Sequence, residues 1–128
     1  MDVYAALVQH IRGFQGIQSV QVEMPHGFDM KTLPAVDLTD PGPAGRKPAL
    51  QGLGFDEVDV DVDLFISHTM WLTGGARALA DDLRVHLMTF HTGRMKTVEV
   101  TRPSKRPDRN SSIRRLGMTI TVLMPAQS

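Results

Sequence analysis

Apolar residues recur along this chain with two periods, and the switches between them mark out the elements. Val3, Leu7, Ile11 and Phe14 are spaced as one face of a helix. Asp2 stands at its N-cap position, and Gly13 and Gly16 frame its end. The period then drops to two. Residues 19–24 alternate as a strand, and 33–39 read as a second, with the turn signal "PHGFD" between them. Residues 40–54 (DPGPAGRKPALQGLG) are rich in Pro and Gly and read as a long loop without regular structure.

The clearest alternation is "FDEVDVDVDLFIS" at 55–67. As a strand it places Val58, Val60, Val62, Leu64 and Ile66 on one face, with Glu57, Asp59, Asp61 and Asp63 on the other. "LTGG" introduces a second helix, whose apolar stripe is Ala76, Leu79, Ala80, Leu83, Leu87 and Phe90. A fourth strand spans 97–102 with Val98 and Val100 inward, followed by a polar, basic loop at 103–113. A fifth spans 116–124, with Leu116, Met118, Ile120, Val122 and Met124 on one side.

The expected order is α-β-β-β-α-β-β. Strands that are apolar on one side only argue for a mostly antiparallel sheet with one covered face. The expected fold is therefore α+β: a two-layer domain with a sheet of about five strands and two helices packed on one face. A length of 128 residues suits one domain, 1–128. The uncovered face would carry Gln21, Glu23, Asp59, Asp61, Asp63, Glu99, Thr119 and Thr121, and so be acidic.

Composition changes this picture little, except in how charge is distributed. With 14 basic and 14 acidic residues, the net charge is zero. Yet the bases Arg102, Lys105, Arg106, Arg109, Arg114 and Arg115 cluster in one stretch, opposite in sign to the strip at 56–63. Such segregation points to like molecules meeting acid to base, or to contact with nucleic acid. There is no cysteine, which excludes disulfides and thiolate chemistry. No apolar run approaches the ~18 residues of a membrane span, and the first residues lack the basic stretch of a secretory signal.

The candidate chemistries fail on spacing. "DVDVD" imitates a calcium loop, but the Gly and Glu that such a loop needs are replaced by Leu64 and Met70. Alternate residues of a strand lie roughly 6.7 Å apart, too far for one ion to gather three of them. A catalytic carboxylate pair needs a desolvated member, whereas a row on an open strand is solvated. The five histidines include no HExxH pair, and "TGGARA" lacks the phosphate-loop lysine. Ser67, His68 and Thr69 are chain neighbours rather than a triad. The basic stretch lacks the interleaved aromatics of single-strand binders. No metal, cofactor or catalytic residue is expected.

The ordered pattern as a whole resembles tail terminator proteins of long-tailed, siphovirus-type bacteriophages, especially those infecting actinobacteria. The likeness lies in the N-terminal helix, "VQVEMPHGFDMKTLPAVDL", the Gly/Pro-rich loop, "VDVDVDLFIS", "GGARALADDLRVHL" and "TRPSKRPDRN". It implies a structural virion protein at the tail–neck junction, assembled in the host cytoplasm. There it would form a homohexameric ring that caps the tail tube, ends tube polymerisation and offers a head-docking surface. Its partners would be copies of itself, the major tail tube protein and the head-side connector. DNA would pass through without sequence-specific binding, with no membrane, cofactor or reaction involved. By position, Arg46 and Lys47 would sit in a docking loop, and Arg102, Lys105, Arg106, Arg109, Arg114 and Arg115 at a subunit interface. Glu57, Asp59, Asp61 and Asp63 would face either a neighbour or the DNA channel. The alternatives are another neck protein (head-completion or tail-completion) and a small DNA-binding module using 102–115.

Overall fold

The computed structural model describes residues 2–23, 33–42, 46–48, 54–106 and 113–125; the side chains of 46–48 lie outside that description. Its elements are α1 (Val3–Arg12), β1 (Ser19–Val22), β2 (Ala35–Thr39), β3 (Arg46–Pro48), β4 (Phe55–Ser67), α2 (His68–Leu72), α3 (Gly75–Met88), β5 (His91–Thr92), β6 (Met95–Val100), β7 (Ser104–Arg106) and β8 (Ile113–Pro125). The fold is α+β, with helices layered on a mostly antiparallel sheet. The strand path is β1-β2-β4-β8-β6-β5, with β3 joined to β4 and β7 to β8.

Two long strands form the spine. β4 and β8 pair antiparallel over the full length of both, from Phe55 opposite Pro125 to Ser67 opposite Ile113. Strict alternation makes this possible, because a one-residue slip would turn every valine outward. Each spine strand is flanked by an interrupted one. β2 pairs with β4 opposite 61–65, and β3 takes the same edge opposite 56–58. β6 pairs with β8 opposite 120–123, and β7 continues along that edge opposite 115–117. At the break, the Thr101 N–H donates to the Thr119 carbonyl, and the Thr119 N–H donates to the Thr101 hydroxyl. Pro103, lacking an N–H, cannot continue the ladder.

The core lies between one sheet face and the helices. Val36, Val60, Val62, Leu64, Ile66, Leu116, Met118, Ile120 and Val122 pack against Leu7 and Ile11 of α1 and against Ala80, Leu83 and Leu87 of α3. α1 has only ten residues, too few to persist alone. The Asp2 carboxylate caps it by accepting the Tyr4 N–H, and its four buried residues anchor it. Gly74 caps the start of α3 with a positive φ of 83°, a conformation that favours glycine.

Several expectations need correction. Among the described residues the sheet has eight strands rather than about five, and there are three helices rather than two. β3 lies inside 40–54 and β7 inside 103–113, so neither stretch is loop throughout. α2 is a single short turn of helix that begins when Ser67 Oγ accepts the Met70 N–H. Val98 is not inward. A β-bulge shifts the register between Thr97 and Glu99, and Val98, the extra residue, is turned out to solvent. β1 and β2 pair parallel within the mostly antiparallel sheet; "PHGFD" and Met24 lie outside the described residues. The second sheet face is not wholly polar, because Ala35, Phe65 and Ile113 form a small buried cluster on it.

Candidate functional site

The acidic row of β4 is matched, residue by residue, by β8. Asp59 faces Thr121, Asp61 faces Thr119 and Asp63 faces Gly117. Thr121 donates its hydroxyl to Asp59 at 2.6 Å, and Thr119 donates to Asp61 at 2.8 Å. Cross-strand pairs of this kind each contribute a few tenths to ~1 kcal/mol. The threonines thus hold the carboxylates in fixed positions and offset part of the repulsion along the row.

Asp63 is different. It is only 1% exposed, and two arginines reach it. Arg106 Nη1 donates to Oδ1 at 3.0 Å, and Arg115 Nη2 donates to Oδ2 at 2.6 Å. A buried carboxylate without such partners would cost several kcal/mol. Its neighbour across the β2–β4 ladder is another buried carboxylate, Asp37, so two cations stand beside two anions. Arg115 also lies over the Phe65 ring, its guanidinium carbon 5.4 Å from the centroid. Arg106 starts from β7, the strand beyond β8, and must cross β8 to reach Asp63. It crosses at Gly117: a Cβ there would overlap its Nε, Cζ and Cδ atoms.

The structure therefore brings part of the basic strip onto the acidic strip within one chain. Arg106 and Arg115 are committed to Asp63. Arg114 donates to the Ile113 carbonyl at 3.1 Å. Lys105 projects to the opposite, helix-covered side, with its ammonium 5.6 Å from the centre of the Trp71 ring. Arg102 is exposed at the break between β6 and β7. Asp59, Asp61 and Glu57 are part-exposed. Arg109 lies outside the described residues, as do the side chains of Arg46 and Lys47, whose backbone pairs with Val58 and Glu57. Among the described residues, no group of three or more His, Asp or Glu side chains is arranged to hold a metal ion.

Sequence reasoning missed the Asp63 cluster, although one signal for it was present. Gly117 stands among the outward positions of its strand, where the next two are Thr119 and Thr121, and an isolated strand glycine marks close approach by another group. A second feature left no local signal. His10 of α1 and His86 of α3 stack with ring centroids 4.0 Å apart. Each Nε2 lies 2.7 Å from the other residue's carbonyl oxygen. A carbonyl only accepts, so both rings carry hydrogen on Nε2. Burial holds the His10 pKa below its usual value, and the neighbouring His86 adds to the lowering against its carbonyl's opposite effect. At the other end of α1, burial raises the Tyr4 pKa, with Asp40, Glu23, Asp2 and Asp61 adding to the rise. Tyr4 thus reports an acidic surround at the β1 edge of the domain.

No family model and no curated protein matches the chain. A chain from the virion of a native gene transfer agent particle has the same fold. The two superpose with a TM-score of 0.64 over 97% of this chain and 95% of that one, at 19% identity.

Proposed function

We propose that this protein is a structural virion protein that acts as a tail terminator, forming a homohexameric ring on the end of a tail tube. The observation that carries this reading is the fold it shares, nearly end to end in both chains, with a component of a gene transfer agent virion. The tail-terminator assignment itself rests on the resemblance in sequence texture. In this role the ring ends tube growth and presents a docking face to the head-side connector, with no reaction and no cofactor.

The charge arrangement is consistent with such a ring. Asp59 and Asp61 remain part-exposed in positions fixed by threonines, whereas Asp63 is used inside the fold. A part-exposed acidic row lining a channel would repel phosphates and let DNA slide. Two of the six clustered bases are occupied by Asp63, which weakens the case for a dedicated DNA-binding module on that stretch.

The test is reconstitution with the tail tube protein. Added during tube polymerisation, the chain should arrest growth and leave a ring at one end of each tube. Tubes that lengthen unchecked while the chain stays monomeric would overturn the proposal.

A further inference from the structure

A head-to-tail ring requires two different surfaces on each copy that fit one another. The two ends of the sheet differ in what they expose. At one end is β1, an edge strand of four residues, with Val22 41% exposed at its close. At the other, β5 covers only Met95 and Lys96 of β6, and no described strand pairs with the outer edge of the remainder.

That second end carries an apolar patch. Val98 stands out from the bulge, 50% exposed. Arg84 Nε donates to the Val100 carbonyl at 3.0 Å, and the Thr97 hydroxyl donates to the Leu87 carbonyl at 2.6 Å. These two bonds stitch β6 to α3 on either side of Val98. On the same stretch of α3, Val85 and Met88 are 59% and 51% exposed. Three of the five large exposed apolar side chains of the described residues thus gather on this flank. Grouped exposure of this kind marks an interaction surface, unlike scattered single residues.

Charge differs between the β1 end and the β5–β6 turn at the other. The β1 end is acidic: the Asp2 carboxylate accepts the Tyr4 N–H at 3.3 Å, and the Asp40 N–H donates to the Glu23 carboxylate at 2.7 Å. The β5–β6 hairpin at the other end exposes Arg94 and Lys96. Glu99, farther along β6, and Asp81 and Asp82, a turn earlier on α3, are the acids of that flank.

We propose that the β1 end of one copy docks on the β6–α3 flank of the next, with Val22 packing against Val85, Met88 and Val98. Asp2, Glu23 and Asp40 then face Arg94 and Lys96 of the neighbour. The inference rests on the ring reading above. The bulge prevents a regular strand ladder at Val98, so side-chain packing makes the contact and the charges orient it.

The chain has no cysteine, so two can be placed cleanly. Val22→Cys and Val98→Cys chains, one carrying a tag, are mixed with tail-tube ends and oxidised. The expected result is a covalent heterodimer from the mixture, little cross-linking from either variant alone, and a ladder of multimers from the doubly substituted chain. Met88→Glu with Val98→Glu should abolish ring assembly while leaving the circular dichroism spectrum unchanged. Rings visible by electron microscopy without the Val22–Val98 cross-link, or a dominant Val98–Val98 dimer, would overturn this joint but leave the ring standing. Absence of any ring on tube ends would overturn both.

Discussion

Gly117→Ala isolates the Asp63 cluster from ordinary backbone effects. Gly117 does not have a positive φ, so alanine there meets no backbone strain. Replacing a strand glycine by alanine would ordinarily stabilise by about 0.5–1 kcal/mol through the unfolded chain. Here the new methyl would occupy the space of the Arg106 side chain where it crosses β8. Arg106 must swing into solvent, and Asp63 loses one of its two charge-assisted hydrogen bonds. Such a bond is worth about 1.5–3 kcal/mol. The net expectation is a destabilisation of about 0.5–2.5 kcal/mol, the difference of those two ranges. Urea unfolding, followed by the fluorescence of the single tryptophan, measures it. The decisive comparison is the same change made in an Arg106→Ala background. With no side chain to displace, Gly117→Ala should become neutral or stabilising. An equal loss in both backgrounds, or a gain in the presence of Arg106, would refute the crossing at Gly117.

Arg115→Met should cost about 3 kcal/mol, because it leaves a buried carboxylate with one cation, whereas Asp63→Asn should cost less, since its arginines are part-exposed and can rehydrate; urea midpoints for the pair rank them, and the reverse order would contradict the cluster. His10 gives a pH dependence. Because burial lowers the His10 pKa in the folded protein, the unfolded chain binds the proton first as pH falls below about 6.5. Stability should be complete above that value and decline below it, less steeply than the ~1.4 kcal/mol per pH unit of one full proton. His10→Gln should flatten this slope, and an unchanged slope in thermal melts would exclude His10 as its source. Leu64→Ala, at a fully buried spine position, should cost about 2–5 kcal/mol by the same urea assay; a loss under 1 kcal/mol would mean the spine is not part of the core.

The spine of the fold was legible in the sequence because period-two alternation runs unbroken through Val58–Ile66 and Leu116–Met124, and α1 and α3 were legible from their stripes. β3, β5 and β7 were not, since two or three residues cannot display a period. α2 is likewise too short, and only its Ser67 cap hinted at it. Val98 was misplaced because a bulge adds one residue without any change in composition. The acidic and basic stretches were visible in the sequence only as stretches of composition. Their partial meeting within one chain was hidden because Asp63 lies 43 residues from Arg106 and 52 from Arg115, a separation that only topology closes. The histidine pair, 76 residues apart, was hidden for the same reason.

The central claim is a ring of this chain on a tail tube. Electron microscopy of particles carrying the protein, with the chain located by its own density or by a fused tag, tests it most directly. The account predicts six copies closed into a ring between the last tube layer and the head-side connector, with Asp59 and Asp61 on the channel wall. Particles in which the chain is absent, or sits away from the tube end, would contradict it.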